Sequence, residues 1–153
     1  IGPSTEVFIQ TVKNFKESYP EKADSIIMTG NITDRTQLYT YCRRAKIICM
    51  TSRTESTCLA TLEGMYFGAY PIITNYSDFT KDTTNNNLCG CIVDNNDIQG
   101  LSNALLENMQ NSILEYKCIE SQKYARDMFE YKVLASRLDD YLVKLYYLNF
   151  NLK

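Results

Sequence analysis

The sequence predicts an α/β fold in which a parallel sheet is covered by helices on both faces. Two observations support this class. Short apolar segments alternate with helical patterns along the 153 residues, as they do when helical crossovers join parallel strands in the right-handed sense. The apolar segments are also continuous rather than alternating in polarity, which is typical of strands buried on both faces.

The first half of the chain contains four helical or strand-like patterns before a polar stretch. Thr5 is expected to cap the first helix, and either Thr33 or Asp34 the second, which would bury Leu38, Tyr41 and Cys42. The expected order is a linker over 1–4, a helix over 5–19, a strand over 25–29, a helix over 35–44 and a buried strand over 46–50.

The second half continues the alternation. We expect a helix over 58–66, a strand over 71–74, a polar loop with a helical turn over 75–90, a strand over 91–93 and helices over 98–107, 111–128 and 133–148. Asp97 should cap the helix at 98–107. The residues expected to be buried are Leu59, Leu62, Met65 and Tyr66 in the first of these helices, and Ile98, Leu101, Ala104 and Leu105 in the second. An apolar tail over 145–150 is expected to pack against another surface. The last helix is apolar on one side, which carries Val133, Leu134, Leu138, Tyr141, Leu142 and Leu145.

About four strands are few for an independent sheet. We therefore expect a further strand upstream of residue 1. At this length the whole of 1–153 is otherwise interpreted as one domain.

Composition excludes several classes of protein. The 16 basic and 18 acidic residues give a net charge of −2 and are dispersed, so no nucleic-acid-binding face is predicted. No apolar run approaches the ~20 residues of a membrane span, and residues 1–20 lack the apolar core of a secretory signal. The chain is therefore predicted to be cytoplasmic.

Cysteine and histidine content limits the chemistry. The chain has no histidine, which excludes Ser-His-Asp and Cys-His mechanisms. The six cysteines do not follow a metal-binding spacing, and no metal or other cofactor is predicted. Cys42 and Cys49 fall in apolar patterns, where free cysteine acts as a small hydrophobic residue in a reducing compartment.

The stretch 52–65 is the predicted site, because ligands bind parallel sheets where strands lead into helices. Glu63 could accept hydrogen bonds from a vicinal diol, or it could be a solvated helix residue. Glu55 could contact a ligand or could be a first-turn acid favoured by the helix dipole. The backbone of Ser56, Thr57 and Cys58 could hold a phosphate, and Ser56 or Thr57 could equally act as an N-cap.

Two further residues have open interpretations. Arg53 could clamp a phosphate through its guanidinium, or it could be an ordinary surface charge. Gly30 could end the strand at 25–29, or it could let a flat ring approach the backbone.

These segments resemble the donor-binding lobe of retaining glycosyltransferases of family 4, which have the GT-B fold of two Rossmann-like lobes. Glu55 and Glu63 match the family's Glu-x₇-Glu motif, and the likeness extends over about residues 5–147. The segments that carry it are 28–32, 41–45, 51–55, 62–65, 68–73, 90–97 and 129–131.

The resemblance implies a role for each site residue. Glu63 would hold the ribose hydroxyls and Glu55 would orient the donor sugar. The turn from Ser56 through Leu59 would place N–H groups near the diphosphate, with Arg53 beside them. Gly30, Asn31 and Ile32 would flank the base.

The activity implied is transfer of a hexosyl group from a nucleoside-diphosphate sugar to a glycan or lipid-linked acceptor, as in bacterial surface polysaccharide synthesis. The acceptor lobe would lie in a missing N-terminal part, so this lobe alone is expected to be inactive. The resemblance also allows peripheral association of the whole protein with the inner face of a membrane.

The sequence departs from the family where glycine is common, at Ser56 and Cys58, and in the turn after 71–74. A non-catalytic partner module that has lost donor chemistry is therefore the alternative. A receiver-like signalling domain is disfavoured, because no acidic pair follows a first strand.

Overall fold

The structure is a computed structural model that describes residues 4–150, with side chains as far as Leu148. Most of the predicted linker at 1–4 and the end of the apolar tail lie outside the described residues. The chain divides into two compact units, one ending at Tyr41 and one beginning at Cys42.

The first unit begins with helix α1 (Glu6–Ser18), followed by a 3₁₀ helix (Pro20–Ser25). As predicted, Thr5 caps α1, since its Oγ1 atom accepts a hydrogen bond of 3.3 Å from the N–H of Phe8. Helix α2 (Arg35–Arg44) has the predicted bounds. Asp34 rather than Thr33 caps it, because the N–H of Thr36 donates to Asp34 Oδ1 at 2.8 Å.

The predicted strand at 25–29 was wrong. Ser25 closes the 3₁₀ helix through a hydrogen bond from its hydroxyl to the carbonyl of Lys22, and the segment after it has no regular secondary structure. Ile26 and Ile27 line a groove against α1, and Ile27 is 75% exposed. A short apolar run forms a strand only where a neighbouring strand satisfies its backbone groups, and none of the described strands pairs with it.

The second unit is built on three parallel strands, β1 (Ile47–Met50), β2 (Tyr70–Thr74) and β3 (Cys91–Val93), in the order β1-β2-β3. Its helices are α3 (Leu59–Tyr66), α4 (Phe79–Thr83), α5 (Ile98–Gln110), α6 (Leu114–Phe129) and α7 (Tyr131–Phe150). The parallel α/β class is thus confirmed, with three strands because 25–29 does not join the sheet. None of the helices in the described range is both long and apolar enough to cross a membrane.

The core of this unit lies around the central strand. Every residue of β2 is buried, and a cluster of buried side chains surrounds it: Tyr70, Ile72, Val93, Ala104 and Cys118. By contrast β1 is only half-buried and Cys49 is exposed, so the prediction that this strand and its cysteine are buried was wrong. The reason is that β1 occupies an edge of the sheet, which leaves one side with no neighbouring strand among the described residues.

The faces that the helices bury also differ in part from prediction. In α3 the buried residues are Thr61, Gly64 and Met65, whereas Leu59 is 68% exposed and Tyr66 is exposed as well. In α5 Ala104 is buried as predicted, but Ile98 is 82% exposed. Ile98 follows the Asp97 cap directly and lies in the first turn of the helix.

The apolar face predicted for the last helix is present, but it is exposed. Leu134, Leu138, Tyr141 and Leu142 on α7 are each about half exposed. The helix begins directly after α6, with which it is in contact.

Candidate functional site

The carboxyl ends of the three strands are tied together by hydrogen bonds. The hydroxyl of Thr74, at the end of β2, donates to the carbonyl of Ser52, just after β1. The N–H of Asn75 donates to the carbonyl of Val93 at 2.9 Å, and the Asn95 side chain donates to the carbonyl of Asn75 at 2.8 Å. The loops after β1, β2 and β3 therefore form one connected edge, which is where parallel sheets bind ligands.

Glu55 is exposed in the loop between β1 and α3 and is oriented by a local contact. Its Oε1 atom accepts a hydrogen bond of 2.8 Å from the hydroxyl of Ser52, whose carbonyl is fixed by Thr74. Because α3 begins only at Leu59, Glu55 is not a first-turn acid of that helix. Its second carboxylate oxygen is available to a ligand.

Cys58 occupies the N-cap position of α3 with left-handed backbone geometry, at φ +41°. It is buried, and its Sγ atom lies 3.1 Å from the Thr61 hydroxyl. Left-handed φ favours glycine and costs other residues about 1–2 kcal/mol. The backbone at Cys58 thus has the conformation of a glycine although the side chain is that of cysteine.

The interpretation of Ser56 or Thr57 as the N-cap of α3 was wrong, because Cys58 occupies that position. Both residues are exposed and precede the actual N-cap. Among the described residues, no side chain accepts a capping hydrogen bond at the start of α3. The N–H of Thr61 donates to the carbonyl of Cys58 at 3.0 Å, so the N–H groups of the exposed residues Leu59 and Ala60 are the ones left for an anion.

Tyr76 forms the floor beneath this loop and was not singled out from the sequence. It is 7% exposed and packs with Cys58, Ile73 and Met50. Burial raises the pKa of its phenol, which therefore stays neutral. Among the described residues its buried hydroxyl makes no hydrogen bond of normal geometry, although an interaction with the Thr83 side chain offsets part of the rise in its pKa. Such a residue is recognisable only once the fold places the loop after β2 under the loop after β1.

Glu63 lies on α3 at the wall of a cavity of about 330 Å³. It is half-buried, so it is not a fully solvated helix residue. The cavity separates α3 from the junction of α6 and α7, and most of its lining is apolar. Its other lining residues are Leu59, Leu62, Tyr66, Ala125, Phe129, Glu130 and Tyr131.

Arg53 lines a second cavity, of about 200 Å³, at the carboxyl ends of the strands. Two acidic residues, Asp94 and Asp97, share that cavity with it. Arg53 itself is exposed. The sequence alone could not connect it with residues about forty positions later.

The predicted base-flanking residues Gly30, Asn31 and Ile32 belong to the first unit. Gly30 has a positive φ of +63° and open space around its Cα. Glu55, Cys58 and Thr61 lie in and beside one loop, whereas Glu63 and Leu59 line the 330 Å³ cavity and Arg53 lines the 200 Å³ cavity. The described residues include no cluster of three or more metal-ligating side chains.

Comparison with known families agrees with this geometry. The model of the family described as "Glycosyl transferases group 1" matches residues 10–125, a range that includes both glutamates and all three strands. No curated protein matches the chain significantly.

Proposed function

Because the chain belongs to the group 1 glycosyltransferases, we propose that it binds the nucleoside-diphosphate sugar used in a retaining hexosyl transfer. On this proposal residues 1–153 are the donor-binding lobe of a GT-B enzyme of family 4. The acceptor would be a glycan or a lipid-linked saccharide, and the product a bacterial surface polysaccharide. The arrangement around Glu63 supports the proposal most directly.

Glu63 suits the ribose of the donor. A carboxylate accepts two hydrogen bonds from a vicinal diol, and hydrogen bonds to charged groups contribute about 1.5–3 kcal/mol each. The apolar and aromatic side chains that line the same cavity, Tyr66, Phe129 and Tyr131 among them, suit the uncharged face of a nucleoside. A volume of about 330 Å³ lies within the range of small-molecule sites.

The uncapped start of α3 suits the diphosphate. The helix dipole places a partial positive charge there, and Ser56, Thr57, Cys58 and Leu59 can present backbone N–H groups. The glycine-like backbone at Cys58 supports this role in spite of the substitution. When the bond between the anomeric carbon and the diphosphate breaks, these groups would stabilise the charge on the leaving group.

Glu55 suits the donor sugar rather than the phosphates, because two negative charges repel each other. Ser52 fixes one of its oxygens at 2.8 Å, and the other can accept a hydrogen bond from a sugar hydroxyl. Glu55 would thereby orient the sugar for attack by the acceptor oxygen, a contribution of positioning. Arg53, two residues earlier, would supply positive charge on the same loop.

The alternative is a partner module that keeps the fold without donor chemistry. The side chains of Ser56 and Cys58, at positions where the family commonly has glycine, favour it. On this alternative neither the start of α3 nor Glu63 would contact a nucleotide.

The test is a titration of the isotope-labelled protein with UDP, GDP and ADP and with their sugar conjugates, followed by backbone amide shifts. We expect one diphosphate to perturb residues 52–63. Glu63→Ala and the isosteric Glu63→Gln should weaken its binding by at least about tenfold, since a charge-assisted hydrogen bond is lost.

The matched control is Glu107→Ala, which removes an exposed glutamate from α5 in the same unit. It should bind the diphosphate like the parent protein. Shifts that both Glu63 variants retain would contradict the ribose role. Binding of no diphosphate at millimolar concentration would favour the partner module.

A further inference from the structure

We propose that the 200 Å³ cavity formed by Arg53, Asp94 and Asp97 binds one sugar ring of the acceptor. This inference rests on the proposed function, because it assigns a second saccharide to the loop that carries Glu55. It concerns a different cavity from the one lined by Glu63.

The chemistry of the lining is that of a carbohydrate site. Asp94 offers a carboxylate, which accepts hydrogen bonds from hydroxyls, and Arg53 offers a guanidinium, which donates them. Ile98 and Leu101 line the same cavity and provide an apolar surface for the C–H face of a pyranose. A sugar ring presents both of these surfaces, hydroxyl groups at its rim and C–H groups on its face.

Several polar groups of the lining are already engaged within the protein. Asp97 Oδ1 accepts the N–H of Gly100 at 2.8 Å, and the Asn95 amide donates to Asn75. Thr74 donates to Ser52. The charged groups left for a ligand are Arg53 and Asp94, which line the cavity from the loops after β1 and β3, and the side chains of Thr51 and Asn96 line it as well.

Charge and size argue against a phosphate or a whole nucleotide. Two carboxylates outnumber the single guanidinium, and the Asp97 carboxylate already occupies the start of α5, so a second anion there would be repelled. The cavity volume of about 200 Å³ is below the roughly 300 Å³ at which sites for larger ligands begin. The charge and the volume of the cavity therefore suit a neutral ligand of the size of one sugar ring.

Hydrogen bonds also hold the backbone around the cavity in place. The hydrogen bonds from Thr74, Asn75 and Asn95 join its walls, so little ordering is needed when a ligand binds. Arg53 and Glu55 are two residues apart on the same loop, and Glu55 bonds to Ser52. The loop can therefore contact the donor sugar through Glu55 and the acceptor through Arg53.

The test uses methyl glucoside, methyl galactoside and methyl mannoside as probes of an acceptor ring. With the nucleoside diphosphate present, we expect one glycoside to perturb the amides of residues 51–53 and 94–98. Asp94→Asn and Arg53→Gln should each weaken that binding by at least about tenfold, the effect of one charge-assisted hydrogen bond. Asp127→Asn, an exposed aspartate of α6 that does not line the cavity, should leave it unchanged.

Two results would overturn the proposal. The first is that no glycoside perturbs residues 94–98, or that the perturbation survives in both cavity variants. The second is that the complete nucleotide-sugar displaces the glycoside when the nucleoside diphosphate alone does not, which would make the cavity a donor subsite.

The two proposals can fail separately. Diphosphate binding at 52–63 with silence at 94–98 would leave the donor function standing and remove the acceptor ring. Glycoside binding at 94–98 without any diphosphate binding would support the sugar cavity and remove the donor function.

Discussion

Gly64 of α3 lies so close to Ile48 of β1 that a Cβ atom at position 64 would be 2.5 Å from the Ile48 Cδ1 atom and 3.2 Å from its Cβ atom. The helix therefore rests on the strand at a distance that only glycine allows. Glu63 is the preceding residue, so this contact also sets how far the carboxylate stands from the sheet. The close contact between α3 and β1 therefore requires glycine at position 64 and also places Glu63.

The first prediction concerns this contact. Gly64→Ala should lower the free energy of unfolding by up to about 2 kcal/mol, because overpacking costs about 1–3 kcal/mol and helix propensity returns only roughly 1 kcal/mol. Denaturant unfolding measures the change. Ile48→Val removes the Cδ1 atom, so the double variant should recover part of the loss. Stabilisation by Gly64→Ala, with no coupling to position 48, would show that α3 does not rest on Ile48.

The second prediction concerns the hydrogen bond from Thr74 to Ser52. Thr74→Val keeps the shape but leaves the half-buried carbonyl of Ser52 without its donor, and should cost about 1 kcal/mol of stability. It should also weaken diphosphate binding, because the loop that carries Glu55 loses its anchor. Calorimetry and the amide exchange of residues 51–57 measure the two effects. Thr74→Ser keeps the hydroxyl and should change loop exchange little; equal exchange in all three proteins would refute the anchor.

The third prediction concerns the left-handed backbone at Cys58. Cys58→Gly should change the free energy of unfolding by less than about 1 kcal/mol, because relief of the backbone strain offsets the lost sulfur contacts. Cys58→Val should cost more than about 2 kcal/mol, since a β-branched residue is strained most at positive φ. Cys42→Val, on helix α2, is the control and should cost less. A Cys58→Val protein as stable as the parent would mean that the loop readily leaves this conformation.

The fourth prediction concerns alkaline pH. Burial, together with the nearby Cys91, raises the pKa of Tyr70 from 10.0 to about 12. The folded state therefore favours the neutral phenol, and this contribution is complete below pH 10 and lost as the pH rises through about 12. The shift corresponds to about 2–3 kcal/mol.

Denaturant unfolding between pH 9 and pH 12 tests it against Tyr70→Phe. The variant cannot ionise at position 70, so its stability should fall less steeply over that range. Parallel curves for the two proteins would show that Tyr70 does not ionise differently on unfolding. Buried cysteines such as Cys118, whose pKa burial also raises, add a loss that both proteins share.

Local sequence patterns predicted much of the secondary structure. The capping residues Thr5, Asp34 and Asp97 mark the starts of helices α1, α2 and α5, because each cap depends only on groups within three residues. The strand at 25–29 could not be judged in the same way, since strands depend on a partner that may lie anywhere in the chain. The exposure of Leu59 and Ile98 likewise depends on where each helix meets the sheet.

The sequence predicted where the candidate site lies and which kinds of residue form it, but not which of these residues share a cavity or where α3 begins. The stretch 52–65 does follow β1 and lead into α3, and its glutamates are accessible. The sequence could not show that Arg53 shares a cavity with Asp94, because only the order of the strands in the sheet brings these residues together. Nor could it show that Cys58 rather than Ser56 or Thr57 is the N-cap of α3, since the backbone at Cys58 adopts a conformation unusual for cysteine.

The central position of β2 affects how fast its backbone amides exchange with solvent. Its five residues are all buried and it is paired on both sides, so its amides should be among the last in this unit to exchange with deuterium. The strand also ends in Thr74, which holds the loop after β1. The groups that would meet a substrate are thus attached to the slowest-opening part of the unit, and they should keep their arrangement while the edge strand and the outer helices open and close many times.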